Sequence, residues 1–341
     1  MVTKSSNKTK NYFLSYKSSK KCNYTLRGGR LMISIIVIIS DKDYHLFGNI
    51  LRTIKETAGI PYELLVADNR EEYKNVSLPE GNYTLIDMGG NKFQFLAKKR
   101  CIPLCKYDWI WVIDGDDEII NFPPVDDLST DADMICYNFE RDDGLKPVRW
   151  ISENYSIENK PNCFTYDIHQ KTSTLMWCTL LRKSMLMKFV DKLPEKKIHF
   201  TEDFLWIIFS LYHSTKIDFR TTEIYLYNSS NQDSDRTYYD SIIPLQRWAT
   251  GTKDAIECMN NMIPAEEQNN AGIKSEDIYR NGCINFIEKY YNCNKEIRPE
   301  FMKLIKENYD TEYITMVVLY WIDSKRFDKI EFLKDLIDFH R

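Results

Sequence analysis

The first sustained apolar run, Leu31 to Ile39, contains Ile33-Ser34-Ile35-Ile36-Val37-Ile38-Ile39, a β-branched stretch of strand length. An unbroken run of this kind suits a parallel strand covered on both faces, where polar alternation is lost. Asp41 then stands as an N-cap candidate, and Leu46, Ile50, Leu51 and Ile54 form one apolar stripe at helical spacing. Gly59 and Pro61 end that helix, and Tyr62-Glu63-Leu64-Leu65-Val66-Ala67 predicts a second strand stopping at Asp68. The pattern then repeats. Tyr83 to Ile86 reads as a third strand, Asn91 as the cap of a helix reaching about Cys105, and Trp109-Ile110-Trp111-Val112-Ile113 as a fourth strand. Repeated β-α-β order predicts an α/β fold with a mostly parallel sheet flanked by helices.

Asp133-Met134-Ile135-Cys136-Tyr137-Asn138-Phe139 predicts a further strand, followed by a polar stretch to about Gln170 that reads as a loop or an irregular hairpin. A helix is expected around Leu180, Leu181, Met185 and Met187. Another opens at Thr201-Glu202-Asp203 and carries Phe204, Leu205, Ile208 and Leu211. Past Asp240 the apolar residues Ile256, Met259, Ile284, Ile287, Phe301, Ile305, Val317, Tyr320, Leu333 and Ile337 recur at helical spacing with breakers between blocks, which predicts a C-terminal α-helical appendage without internal repeat. The chain therefore divides into a tail (1–31), an α/β region (32–235) and a helical region (236–341).

Composition narrows the class. With 43% hydrophobic and 28% charged residues in 341, the chain can bury a large core. Its longest apolar run is far short of the roughly 20 residues a membrane-spanning helix needs, so no span is expected. Nine Cys, an odd number without C-x-x-C pairs, read as reduced thiols and favour the cytoplasm. The net charge of −4 is unevenly placed: Lys4, Lys8, Lys10, Lys17, Lys20, Lys21, Arg27 and Arg30 meet no acidic residue within 1–30, leaving −12 on the rest. An acidic body argues against a nucleic-acid partner. The tail is expected to be disordered, and its basic character leaves peripheral contact with an anionic membrane surface open.

The candidate chemistry gathers where strands end. Ligands of open α/β sheets lie beyond the carboxyl ends of the strands, and those ends carry Asp68 and Asp114-Gly115-Asp116-Asp117. Three carboxylates in four residues repel one another unless a cation sits among them, and oxygen-only ligation suits Mg²⁺ or Mn²⁺ bridging to a diphosphate. A solvated Asp-Gly turn is the plain alternative. Asp68 can accept from a base N–H or a ribose hydroxyl, or cap the next turn. Glu202-Asp203 can stabilise a helix start, or supply a carboxylate base for an acceptor hydroxyl. His169, His199 and His213 lack ligand spacing and are assigned to no metal, and Tyr290, Tyr291, Tyr320 and Trp321 read as core or interface.

Ile33 to Arg52, Tyr62 to Asn69, Asn91 to Asp117 and Trp177 to Trp206 together resemble a family 2 glycosyltransferase of GT-A fold, inverting and non-processive, over about residues 32–235. The most specific element is Tyr107 to Asp117, a hydrophobic strand ending in D-x-D-D. The resemblance implies a GT-A sheet, a nucleotide-sugar donor expected to be UDP-linked, and a glycan, lipid-linked or protein acceptor, as in surface-glycan or glycoconjugate synthesis. It implies that Asp68 contacts the base, that Asp114 and Asp116 bind ribose and metal-diphosphate, that Lys98 faces the donor, and that Asp203 is the base. Trp177, within Trp177-Cys178-Thr179-Leu180, is implied to line the acceptor pocket beside Glu202. The chain departs from the pattern at Ile38 and Ser40 after the first strand and at Asn69-Arg70-Glu71 after Asp68. Gln246-Arg247-Trp248 is similar to the Q-x-x-R-W of processive members with different spacing.

Two further readings share such a sheet. A sugar nucleotidyltransferase normally carries a Gly-rich phosphate loop after the first strand, where this chain has Ser40-Asp41-Lys42-Asp43. A non-catalytic module would bind a nucleotide or a partner and release no nucleoside diphosphate.

Overall fold

The computed structural model describes residues 25–26, 29–30, 32–145, 150–158, 175–198, 202–228, 239, 241–271, 275–323, 332 and 334–335. Their main sheet contains β1 (Ile33–Ile39), β2 (Tyr62–Asp68), β3 (Thr84–Asp87), β4 (Trp109–Asp114), β5 (Glu118–Ile119), β6 (Met134–Arg141), β7 (Tyr155–Glu158), β8 (Thr179–Arg182) and β9 (Lys216–Tyr227). The strand order is β3-β2-β1-β4-β8-β6-β9-β5, with β7 also paired to β9. Strands β3, β2, β1 and β4 run parallel. β8 is antiparallel to both β4 and β6, whereas β9 is parallel to β6 through two irregularities. Thr25–Leu26 and Gly29–Arg30 form a separate antiparallel pair.

β1 lies inside the sheet between β2 and β4, and all seven of its side chains are buried. Ile33, Ile35, Val37 and Ile39 pack on one face with Phe47, Ile50 and Ile54 of α1 (Phe47–Thr57). Ile36 and Ile38 pack on the other with Phe95 and Leu96 of α2 (Phe93–Cys101) and Leu205, Trp206 and Ile208 of α4 (Glu202–His213). Each such isoleucine contributes roughly 1.5–3 kcal/mol by burial, so polar substitution anywhere along the run is costly. Ser34 is tolerated because its hydroxyl donates to Glu63 Oε1 at 2.6 Å and accepts from the Tyr107 amide at 3.1 Å.

Several local expectations are corrected. α1 begins only after a tight turn at Tyr44–Leu46 and has no side-chain cap. Asp41 instead accepts the amides of Glu71, Glu72 and Tyr73 at 2.9 to 3.1 Å, pinning the loop after β2. Asn91 makes a local turn, accepting the Phe93 amide at 2.9 Å, and α2 ends at Cys101 before a short 3-10 turn at Ile102–Leu104. The helix expected around Leu180 is strand β8 followed by a four-residue helix, α3 (Lys183–Leu186). Sheet pairing on both edges outweighed local spacing, since Leu180 and Leu181 face opposite cores. β9 was not foreseen at all, and β7 lies inside the polar stretch.

The helical region comprises α5 (Ile243–Met262), α6 (Ala265–Ala271), α7 (Ser275–Glu288), α8 (Arg298–Asn308) and α9 (Thr311–Asp323). Leu245, Trp248 and Ala249 of α5 join Phe286, Tyr290, Phe301, Ile305 and Trp321 in a core of their own. Further along the same helix, Ala255, Cys258 and Met259 join the core of the sheet. Cys101, Cys105, Cys136, Cys178, Cys258, Cys283 and Cys293 are free and buried. Among the described residues no helix is long and apolar enough to cross a membrane.

Candidate active site

β4 leaves the sheet at Asp114, and Gly115 turns the chain across the end of β1. A Cβ on Gly115 would lie 2.9 Å from the Ile38 carbonyl oxygen and 3.5 Å from Asp43 Cγ, so only glycine permits this approach. The turn thereby places Asp116 beside Asp43, whose amide-facing oxygen accepts the Ser40 N–H at 2.5 Å. Burial, with the Asp116 charge adding to it, pushes the Asp43 carboxyl up to about 7.

Asp114 faces α2 and α4. Gln94 Nε2 donates to its Oδ1 at 2.9 Å, and the Tyr225 hydroxyl accepts its backbone N–H at 3.1 Å. Burial and the nearby charges of Asp203, Asp117 and Asp116 raise the Asp114 carboxyl well above the usual range, against the pull of Lys98. One turn beyond Gln94 on the same face of α2, the buried Lys98 ammonium donates to Asp203 Oδ1. Burial opposes charging of Lys98, but Asp203, Glu202 and Asp114 outweigh it and hold its pKa above the ordinary lysine value. Asp203 and Glu202 open α4, where the helix dipole favours negative charge. Asp114, Asp116, Lys98, Glu202 and Asp203 are thus brought together at one mouth.

Asp117 belongs to the framework. It is buried, accepting the Tyr225 hydroxyl at 2.8 Å and the Asn228 amide at 2.7 Å, which ties the end of β9 under the turn. Trp177 sits one layer behind the mouth: 4% exposed, it stacks on Tyr225 at 4.5 Å and on Tyr227 at 5.5 Å.

Asp68 is set apart. It pairs in register with Ile39 and Asp114 with Ile38, so the two carboxylates project from opposite faces of the sheet, two strand spacings (about 10 Å) apart. Both Asp68 oxygens are taken by Arg70, Nε to Oδ1 at 2.8 Å and Nη2 to Oδ2 at 2.9 Å, with both residues buried. Arg70 Nη1 also donates to the Tyr73 and Val76 carbonyls at 3.1 and 2.8 Å. Asp68 also accepts the Arg70 amide at 3.2 Å, the turn-capping role foreseen as its alternative. A cleft of about 350 Å³ lies against this pair, lined also by Lys74, Ser77, Tyr83 and Asp87.

Gln94, Asp43 and Tyr225 escaped sequence reasoning. Gln94 was accessible in principle, lying four residues before Lys98 on a predicted helix. Tyr225 was not, since it comes from the unforeseen β9. His213 stacks on Phe189 at 5.3 Å, where burial pushes its pKa down to about 4, and it is remote from any ligand role. His169, His199 and Thr201 lie outside the described residues.

No protein-family model matches this chain, and no curated protein matches it. Solved structures do. Against S. aureus TarS 1–349 the TM-score is 0.50 at 14% sequence identity, covering 86% of this chain and 92% of that one. Against TarS 1–349 in complex with UDP-GlcNAc it is 0.53 at 13%, covering 87% and 89%. The complex of the same fragment with UDP gives 0.50 at 13%, covering 86% and 92%. The likeness establishes the fold, a parallel-dominated sheet flanked by helices, and coverage of this extent takes in part of the helical region as well as most of residues 32–235.

Proposed function

We propose that the chain is a family 2, GT-A glycosyltransferase that moves a sugar from a nucleotide-sugar donor, a UDP-sugar in our reading, to an acceptor hydroxyl with inversion. The observation that carries this is the meeting of Asp114, at the end of β4 and beside Asp116, with Asp203, at the start of α4, through Lys98. A fold shared with a structure that holds UDP-GlcNAc supports the donor class.

The residues fit a divalent cation. Asp114 and Asp116 are mutually repelling carboxylates: burial first, and then the charges of Asp203, Asp117 and Asp116, raise the Asp114 carboxyl, and a cation between the two would offset that repulsion. Among the described residues no three His, Cys, Asp or Glu side chains could hold an ion by themselves. Mg²⁺ or Mn²⁺, which protein sites commonly hold through only one or two carboxylates, would be held here by Asp114 and Asp116. When bound, such an ion offsets charge developing on the departing diphosphate.

Asp203 takes the acceptor proton as the hydroxyl oxygen attacks the anomeric carbon and the bond to the diphosphate breaks. Lys98 holds one carboxylate oxygen of Asp203 and fixes its orientation. One displacement inverts the anomeric centre. Release of UDP from UDP-GlcNAc and other UDP-sugars, with and without Mn²⁺ and across a panel of acceptors, tests the reading. Metal-dependent UDP release supports it, and binding without any turnover favours a non-catalytic module.

A further inference from the structure

Phe93 opens α2 at φ 54°, in the left-handed region that is strained for a bulky residue. Its surroundings over-determine that conformation. Gly89 and Gly90 precede it at φ 70° and 92°, Asn91 Oδ1 accepts its amide, and Asn69 Oδ1 accepts the Lys92 amide at 2.9 Å. Gln94, the next residue, is fixed on Asp114. The strain therefore presents a half-buried ring at the same helix end whose side chains hold Asp114 and Asp203.

Two cations reach that ring from different parts of the fold. Lys197 Nζ, ahead of α4, lies 5.5 Å from the ring centroid, and Arg247 Cζ, near the start of α5, lies 5.8 Å away. Both side chains are exposed, and neither forms an ion pair with a described carboxylate. Lys196, next to Lys197, behaves differently: it is paired with Asp254 at 2.6 Å and Glu257 at 2.8 Å on α5. Those pairs stitch the 196–197 segment to the helix that carries Arg247. Two cations with no carboxylate partner among the described residues thus lie against the ring next to Gln94, the residue that holds Asp114, at a position held by strain and ion pairs.

We infer that Arg247 and Lys197, spaced by Phe93, bind the diphosphate of the donor, so that the helical region contributes a binding residue to the site. This rests on the glycosyltransferase reading. An ammonium and a guanidinium that both lie against one ring can contact separate phosphate oxygens, and the guanidinium adds paired N–H donors that a lysine cannot supply.

The test is calorimetric affinity for UDP and for UMP, in Mn²⁺, on the full chain and on Arg247→Gln, Lys197→Gln and the double variant. Each single variant is expected to weaken UDP by about tenfold and UMP by less than threefold, because the second phosphate carries the difference. Arg247→Lys should recover part of the loss, and melting temperatures should stay unchanged because both side chains are exposed. Unaltered UDP affinity in the double variant, or equal losses for UDP and UMP, overturns the assignment while leaving the donor reading intact. Failure of the unsubstituted chain to bind UDP removes the donor reading and this inference together.

Discussion

Asp203→Asn separates chemistry from architecture. Asparagine keeps the size of the side chain and an oxygen to accept from Lys98, and it caps a helix start about as well, but it cannot take a proton. If Asp203 is the base, turnover falls about 10²–10⁴-fold, which is roughly 3–5 kcal/mol of barrier at 1.36 kcal/mol per decade. Stability should move less. Breaking a fully buried pair costs about 3–5 kcal/mol, yet the Asp203 side chain is 25% exposed, and Glu202 and Asp114 still face Lys98, so about 1–2 kcal/mol is expected. The pH dependence has a definite sign. Lys98 titrates above the ordinary lysine value in the folded protein, so its contribution is present below about 10.4 and is lost as pH rises through the folded value. Removing the Asp203 charge lowers that folded value and brings the alkaline loss to lower pH. The assay pairs transfer kinetics with UDP calorimetry and urea unfolding from about pH 8 to about 12, across the ordinary lysine value, with Glu202→Gln as a milder control. Near-normal turnover refutes the base assignment, and equal collapse of turnover and UDP affinity would mean that Asp203 shapes the site instead.

Asp116→Ala should abolish metal-assisted UDP binding while the fold survives, because it relieves like-charge repulsion; unchanged metal dependence in calorimetry would count against the assignment. Gly115→Ala drives a methyl group to 2.9 Å from a carbonyl in the central strand, so a loss of about 1–3 kcal/mol in thermal unfolding and weaker UDP binding are expected. Asp43, raised to about 7 from an unfolded value near 3.9, makes the fold lose stability as pH rises from about 4 to 7. Asp43→Asn removes that loss, so its melting temperature should exceed that of the unsubstituted chain by more at pH 8 than at pH 5.

The alternating α/β order was legible because β1, β2 and β4 are buried on both faces and advertise themselves as apolar runs. Strand ends were legible for the same reason: Asp68 and Asp114 are the first charges after such runs. Which face each carboxylate takes was not, because one residue of register between Ile38 and Ile39 decides it, and register is a property of the pairing. The Arg70 clamp on Asp68 was equally hidden, since the residue two positions on gives no hint of a bidentate pair. Expected helix starts at Asp41 and Asn91 failed because short polar side chains near a strand end are as useful to the crossing loops as to a helix. Lys98 and Asp203 were each placed by resemblance, but their contact spans 105 residues and depends on how α2 and α4 pack.

α5 lends its opening turns to one interior and its later turns to another. A boundary drawn at 235 therefore falls ahead of a shared structural member. Melting the helices alone would strip Ala255, Cys258 and Met259 from the sheet's interior, and melting the sheet alone would leave those residues facing water. Opening either region alone therefore exposes apolar surface that the other had covered, which couples the unfolding of the two.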